Sequence, residues 1–241
     1  MQKAEYARMR ELEDHYWWFV SRRRLAFSLL RRFAPEGLTL DLGCGTGAVM
    51  AELQSMRPAV GVDLSGTALE FAAERGITGL VKADAQALPF ADSSFSALVT
   101  LDTLEHVPND VEAAAEIARI LRPGGVAIVN VPAFRWLWGP HDVALMHCRR
   151  YKRSEVVQLL EDAGMTVEFA SYGVFFLFPV VLAIRLVDRL ARREPKVVLP
   201  EVPAWANRLL IRMMGLEERL MRLLPLPWGS SVVALARKPR S

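Results

Sequence analysis

The sequence predicts an α/β domain built on a mostly parallel sheet. Short apolar runs alternate with helical segments between residues 38 and 131. A glycine-rich loop holding Gly43, Gly45 and Gly47 joins the first run to the helix after it. Asp63 closes the second apolar run, twenty residues after Gly43. Strands alternating with helices form βαβ units, and such crossovers run their strands parallel.

The elements follow in order. Residues 1–33 read as helical, broken around Tyr16, Trp17, Trp18 and Phe19, and Pro35-Glu36-Gly37 ends that stretch. Residues 38–42 form a buried strand, 48–56 a helix, 59–64 a second strand and 67–75 a helix closed by Gly76. Residues 80–82 and 95–101 are strands, 111–121 an alanine-rich helix, and 126–131 a strand after the turn Arg122-Pro123-Gly124-Gly125. Residues 133–151 form a long connection rich in Trp, His and Arg, and long loops in compact domains are often functional. Residues 154–163 are a helix with Ser154 as N-cap and Gly164 as terminator. Residues 167–172 and 231–237 are strands. Between them, 174–190 read as a helix bent near Pro179. Residues 204–224 read as an amphipathic helix with Leu209, Met213, Leu216 and Leu220 on one face.

Composition agrees with a globular chain: 241 residues, 52% hydrophobic and 24% charged, with net charge +3. The arginines crowd at Arg22, Arg23, Arg24, Arg31 and Arg32 and again at Arg149, Arg150 and Arg153 with Lys152. Such clusters read as solvated helix faces or as contacts for an anionic partner. No nucleic-acid module accompanies them, so nucleic acid is not the expected partner. Cys44 and Cys148 fit no metal-ligand spacing, and no metal is expected. Reduced thiols and the absence of an apolar leader predict a cytoplasmic chain. The apolar run at 174–184 is too short to span a bilayer, which leaves peripheral contact at the inner face of the membrane as the membrane option.

The loop Asp41-Leu42-Gly43-Cys44-Gly45-Thr46-Gly47 has a physical reading of its own. Its backbone must turn tightly and approach a ligand, and the helix after it offers unpaired N–H groups. Asp63 stands where an acidic side chain accepts hydrogen bonds from both ribose hydroxyls. The pattern is GxGxG rather than the dinucleotide GxGxxG, which argues against NAD.

These segments resemble class I S-adenosylmethionine-dependent methyltransferases of the type 11 subgroup. The glycine loop resembles their first motif and Asp63-Leu64-Ser65 the second. Residues 83–90 resemble the adenine-contacting motif, 95–106 the fourth strand and its loop, and 121–125 the turn before the fifth strand.

The resemblance implies a Rossmann-like three-layer sandwich with a seven-stranded sheet in order 3-2-1-4-5-7-6 and an antiparallel last strand. N-terminal helices and a helical insertion before the last strand complete the expected fold. The domain reading is an N-terminal helical lid (1–37), a methyltransferase domain (38–173 and 230–238) and a helical insertion (174–229).

By the same resemblance, Asp41, Gly43, Cys44, Gly45 and Gly47 hold the methionine part of S-adenosyl-L-methionine. Asp63 and Leu64 hold the ribose, Asp84 and Ala85 the adenine. Leu101 and Asp102 contribute near the methionyl end.

The cofactor carries the reactive methyl group, so the protein's task is alignment, exclusion of water and, for some acceptors, a base. An Asn-Pro-Pro-Tyr type signature is absent after the fourth strand, where the chain reads Asp102-Thr103-Leu104-Glu105. The candidates for acid–base work are His141, His147 and Tyr151, which follow the fifth strand, where an α/β site opens. His106 is a further candidate for packing or catalysis. Phe134, Trp136 and Trp138 are candidates to line an acceptor pocket, with Tyr16, Trp17, Trp18 and Phe19 as lid aromatics. The expected reaction is methyl transfer to a small-molecule or lipid-like acceptor. The alternatives are a nicotinamide-dependent oxidoreductase and a non-catalytic S-adenosylmethionine-binding protein.

Overall fold

The structure, a computed structural model, describes residues 3–191 and 201–240. Its strands are β1 (Thr39–Leu42), β2 (Ala59–Asp63), β3 (Leu80–Lys82), β4 (Phe95–Leu101), β5 (Leu121–Pro132), β6 (Thr166–Gly173) and β7 (Ser231–Arg237). They form one seven-stranded sheet in the order β3-β2-β1-β4-β5-β7-β6. β1 to β5 pair in parallel, and β7 runs antiparallel to both β5 and β6. This is the Rossmann-like order that the sequence resemblance implies.

Strands buried on both faces read as continuous apolar runs, which is why β4 and β5 are so plain in the sequence. Alternation sorts their side chains between two cores. Leu98, Val129 and Ala234 pack with Ile117 of α5 (Asp110–Ile120) and Leu160 of α7 (Arg153–Asp162). Val99, Ile128 and Leu235 face the other way. They meet Phe27 and Leu30 of α2 (Trp17–Phe33) and Leu53 of α3 (Ala48–Met56).

Several boundaries differ from the sequence reading. The N-terminal helix breaks after α1 (Lys3–Leu12), so Trp17, Trp18 and Phe19 form the first turn of α2 rather than the break itself. Residues 1 and 2 of that predicted stretch lie outside the described residues. β5 begins at Leu121 because the predicted turn is a register shift within the strand, between Phe95 and Ala97 of its partner. α7 starts before Ser154. The Glu155 carboxylate accepts the Lys152 N–H at 2.7 Å and so fixes the start one residue earlier, at Arg153. Pro179 lies in the first turn of α8 (Phe178–Leu190), where its missing N–H costs nothing, so it starts the helix instead of bending it.

The helix predicted at 204–224 is α9 (Ala204–Met221), and its buried face is not the predicted stripe. Met214, Glu217 and Met221 are buried against the body, while Leu209 and Leu216 are exposed. Residues 192–200, between α8 and α9, lie outside the described residues.

The return from α9 into β7 depends on Gly229. A Cβ there would lie 2.1 Å from the Gly173 carbonyl oxygen. At Gly215, in α9, a Cβ would meet nothing within 4 Å. Gly229→Ala is therefore expected to cost about 1–3 kcal/mol or more. Gly215→Ala should stabilise by about 0.5–1 kcal/mol through helix propensity. Thermal melts of the two variants check this opposite pair.

Candidate active site

The carboxyl end of β1 leads directly into the glycine loop. Gly43 has φ +79, and a Cβ on it would lie 2.0 Å from Thr103 Oγ1. Gly47 has φ +91, and its Cβ would lie 2.5 Å from Ile77 Cδ1. Left-handed backbone and a close neighbour together leave glycine as the residue that fits at both places. The loop is pinned across the cleft by Asp63, which accepts the Gly45 N–H at 2.9 Å and the Ser65 N–H at 2.8 Å. Burial raises the Asp63 carboxyl above its usual value.

Asp41 is the unusual group. It is 1% exposed, and its Oδ2 is buried without a hydrogen-bond partner. Burial, with Asp63 and Glu13 nearby, pushes its carboxyl well above the usual range. Leaving a buried carboxyl oxygen unpaired costs free energy, so it marks a place where a donor is missing. Asp41, Gly43, Gly45 and Leu101 line one cleft. Such a cleft fits an amino acid's ammonium group, which brings both the charge and the protons that Asp41 lacks. The Cys44 thiol is buried and pushed above its usual range by burial, so it packs rather than reacts.

The remaining predicted contacts surround this cleft. Leu64 is 65% exposed beside Asp63. Asp84 accepts the Gln86 N–H at 2.9 Å in a local turn, and Ala85 is buried next to it. Asp102 has φ +53, accepts the Asn130 amide at 2.8 Å and pairs with Arg22. Residues that the sequence did not single out also matter. Met9 and Glu13 line the cleft from α1 and the link after it. The Thr46 hydroxyl donates to Glu13, and Arg75 joins Glu13 to the Thr46 carbonyl at 2.8 Å. α1 is thereby tied down onto the glycine loop.

A second cleft opens between α2 and α9. Trp17, Trp18 and Leu25 line one side, Met214 and Met221 the other, with Asn130 at its floor. Arg22 lines both clefts. Glu217, 1% exposed, also faces the second cleft and accepts the Val174 N–H at 2.6 Å and the Phe176 N–H at 3.2 Å. Burial pushes it up to about 7.

Known proteins place this geometry. Residues 40–129 match the methyltransferase domain family. The matched segment runs from β1 into β5 and takes in the glycine loop, Asp41 and Asp63.

The chain is 29% identical over 170 residues to a Mycolicibacterium smegmatis protein named as a probable S-adenosylmethionine-dependent methyltransferase. The match takes in 68% of this chain and 64% of that one. It is 36% identical over 98 residues to the sterol 4-C-methyltransferase strm-1 of Caenorhabditis elegans, with 37% of this chain and 29% of the relative aligned. The chain thus spans less than two thirds of the length of these curated relatives. In fold, it resembles a Haloferax volcanii methyltransferase solved with the Trm112 methyltransferase activator. The TM-score is 0.64 at 19% identity, over 99% of this chain and 96% of that one.

The segment after β5 carries His141 and His147. Asp142 is fully buried and accepts Arg150 Nε at 2.7 Å, Arg150 Nη2 at 3.1 Å and the Gly139 N–H at 2.9 Å. It also meets His147 Nδ1 at 2.9 Å. Burial opposes its charge, but His147 and Arg150 outweigh burial and hold the carboxyl well below its usual range. His141 does not join this network through a ring bond, and burial pushes it down to about 4.

The Tyr151 hydroxyl bonds Asp110 at 2.8 Å and the Leu104 carbonyl at 3.2 Å. Burial raises this phenol above its usual range, so it braces α5. Two groups lie close by on the loop after β4. Glu105 is fully buried and pushed up to about 8 by burial. His106 is pushed down to about 4 by burial and by His147.

The predicted aromatics divide. Trp17 and Trp18 line the second cleft, and Phe19 lines the first. Phe134 stacks on Tyr172 at 4.8 Å and on Trp136 at 5.3 Å, beneath α8. Four members of the basic clusters are spent on carboxylates of the same molecule. Arg22 pairs with Asp102, Arg23 with Glu52, Arg149 with Asp110 and Arg150 with Asp142.

Proposed function

We propose that this chain transfers a methyl group from S-adenosyl-L-methionine to an apolar or lipid-like small molecule bound between α2 and α9. The observation that carries the reading is the pair of clefts walled by Arg22. One holds the unpaired Asp41 and the glycine loop, and the other is lined by tryptophan and methionine. When bound, the cofactor supplies a methyl group activated by a sulfonium. Asp41 would take its ammonium group and Asp63 its ribose hydroxyls. Asp84 and the Ala85 N–H would take the adenine. Leu101 and Asp102 would stand at the methionyl end. Asp102, held by Arg22 and Asn130, fixes the wall between donor and acceptor. α2 and α9 exclude water, which strengthens every polar contact inside.

None of the three acid–base candidates lines either cleft, so the reading asks none of them to take a proton from the acceptor. Asp142 orients the His147 ring through Nδ1 and leaves Nε2 for other chemistry. His141, half-buried and pushed down to about 4, is assigned to packing, and Tyr151 to scaffolding.

A membrane surface as the acceptor's source is favoured by one further observation. α8 has no buried residue, and Val180, Ile184 and Leu186 are exposed on it. No helix among the described residues is long and apolar enough to cross a membrane.

The test is incubation of the protein with methyl-labelled cofactor and either a total lipid extract or a polar metabolite pool. The reading expects label in the organic phase. Label confined to the polar pool would reverse the acceptor assignment, and no label with either would count against transfer altogether. Sedimentation with anionic vesicles at low salt should carry the protein down; a protein that stays in the supernatant removes the surface reading.

A further inference from the structure

The loop after β4 and the segment after β5 bring together side chains that methyl transfer alone does not use. Glu105, His106 and His147 each present one ligand-capable atom, and these atoms lie within 4.8 Å of one another. Glu105 is 0% exposed, yet neither of its oxygens accepts a hydrogen bond. Its own backbone N–H approaches without forming one by geometry. Arg22 lies close enough to offset its charge, but the guanidinium is paired with Asp102 and leaves the Glu105 lone pairs unfilled. Two buried, unfilled carboxylate oxygens in one place require a partner.

The histidines are held as metal ligands are held. His147 Nδ1 is bonded to the buried Asp142 at 2.9 Å, and Asp142 is itself fixed by Arg150. The nitrogen left to the cluster is Nε2. His106 directs one ring nitrogen to the Met146 carbonyl, which leaves the other. The two rings stand edge to face at 4.7 Å. An imidazole that gives one nitrogen to a carboxylate or carbonyl and presents the other is the usual outer-shell arrangement of a metal site. Met146, at φ +57, and Cys148, whose N–H donates to the Glu105 carbonyl at 2.7 Å, bind the two segments together on either side of His147.

We propose that Glu105, His106 and His147 bind one divalent first-row transition cation. Two imidazoles and one carboxylate suit Zn²⁺ or Mn²⁺ better than Mg²⁺, which favours oxygen ligands throughout. Asp102 and Asp142 are already answered by Arg22 and Arg150, so Glu105 is the acidic group left to a cation. Three protein ligands leave at least one coordination position open. Cation binding does not rest on the methyl-transfer reading.

The experiment uses untagged full-length protein, stripped with chelator and titrated with ZnCl₂ and separately with MnCl₂ by calorimetry. Bound metal per chain is counted by mass spectrometry after gel filtration. The expected result is one cation per chain. Affinity should fall at least 100-fold in His147→Ala and in His106→Ala. It should fall about 10- to 100-fold in Asp142→Asn, because Asp142 holds His147 and is not itself a ligand. Cys148→Ser should bind as the wild type does, because the thiol is not a ligand.

Glu105→Gln guards against misfolding as an explanation. Without metal it should melt at or above the wild-type temperature, since a buried unfilled carboxylate has gone. Added Zn²⁺ should raise the melting temperature of the wild type and not of this variant. The proposal is overturned if the stripped wild type takes up neither metal, or if His106→Ala, His147→Ala and Glu105→Gln bind with wild-type affinity. None of these readouts needs a methyl acceptor, so failure of methyl transfer and failure of the cation site are separable.

Discussion

Asp142→Ala is expected to destabilise the protein by about 3–5 kcal/mol. The carboxylate is fully buried and answers Arg150, His147 and the Gly139 N–H at once. Removing it strands the Arg150 guanidinium, whose side chain is 6% exposed, without a counter-charge. For a domain with about 5–15 kcal/mol in total, that is a large share. The stranded charge is the main cost, so replacing Arg150 with Met in the same chain should recover a good part of the loss. Urea denaturation of the single and double variants measures the coupling.

The pH dependence has a definite sign. Asp142 is held below its unfolded value, so its contribution is complete above about pH 4, the value of a free aspartate. It is lost as pH falls from there through the depressed folded value. The Ala variant should therefore lose part of the wild type's acid sensitivity.

Asp41→Asn should separate binding from stability. In the wild type the buried carboxyl is raised above its unfolded value, so the unfolded chain loses its proton first and stability declines as pH rises. Asparagine removes that decline. The variant should melt at or above the wild-type temperature, with the gap widening towards alkaline pH. Cofactor affinity should move the other way. An ammonium placed against asparagine loses a charge-assisted bond worth about 2–3 kcal/mol, which is roughly 30- to 150-fold in Kd. A residue that costs stability and is repaid only by a ligand is what an active site contains.

The sheet was legible because its central strands are buried on both faces. The apolar runs of β4 and β5 and the glycine loop need no tertiary information to be read. Three of the harder features depend on neighbours far away in sequence. The stripe Leu209–Leu216 has a helical period, but α9 turns Met214, Glu217 and Met221 inward, because α2 meets it on that side. Glu13 sits in a short link with no motif, and only the fold brings it to Thr46 and Arg75.

The cluster of Glu105, His106 and His147 escaped detection for the same reason. Its residues come from two loops some forty positions apart, and no ligand spacing announces them. What the sequence did offer was three of the chain's four histidines at 106, 141 and 147, beside the carboxyl ends of β4 and β5.

The most direct measurement is calorimetric titration of the wild type and Asp41→Asn with S-adenosyl-L-methionine, alongside NADH. The account predicts one site in the wild type, weakened roughly 30-fold or more in the variant, and no heat with NADH. Equal affinity in the two proteins would contradict the assignment of Asp41 and the cleft around it, and a site for NADH alone would contradict the methyltransferase reading itself.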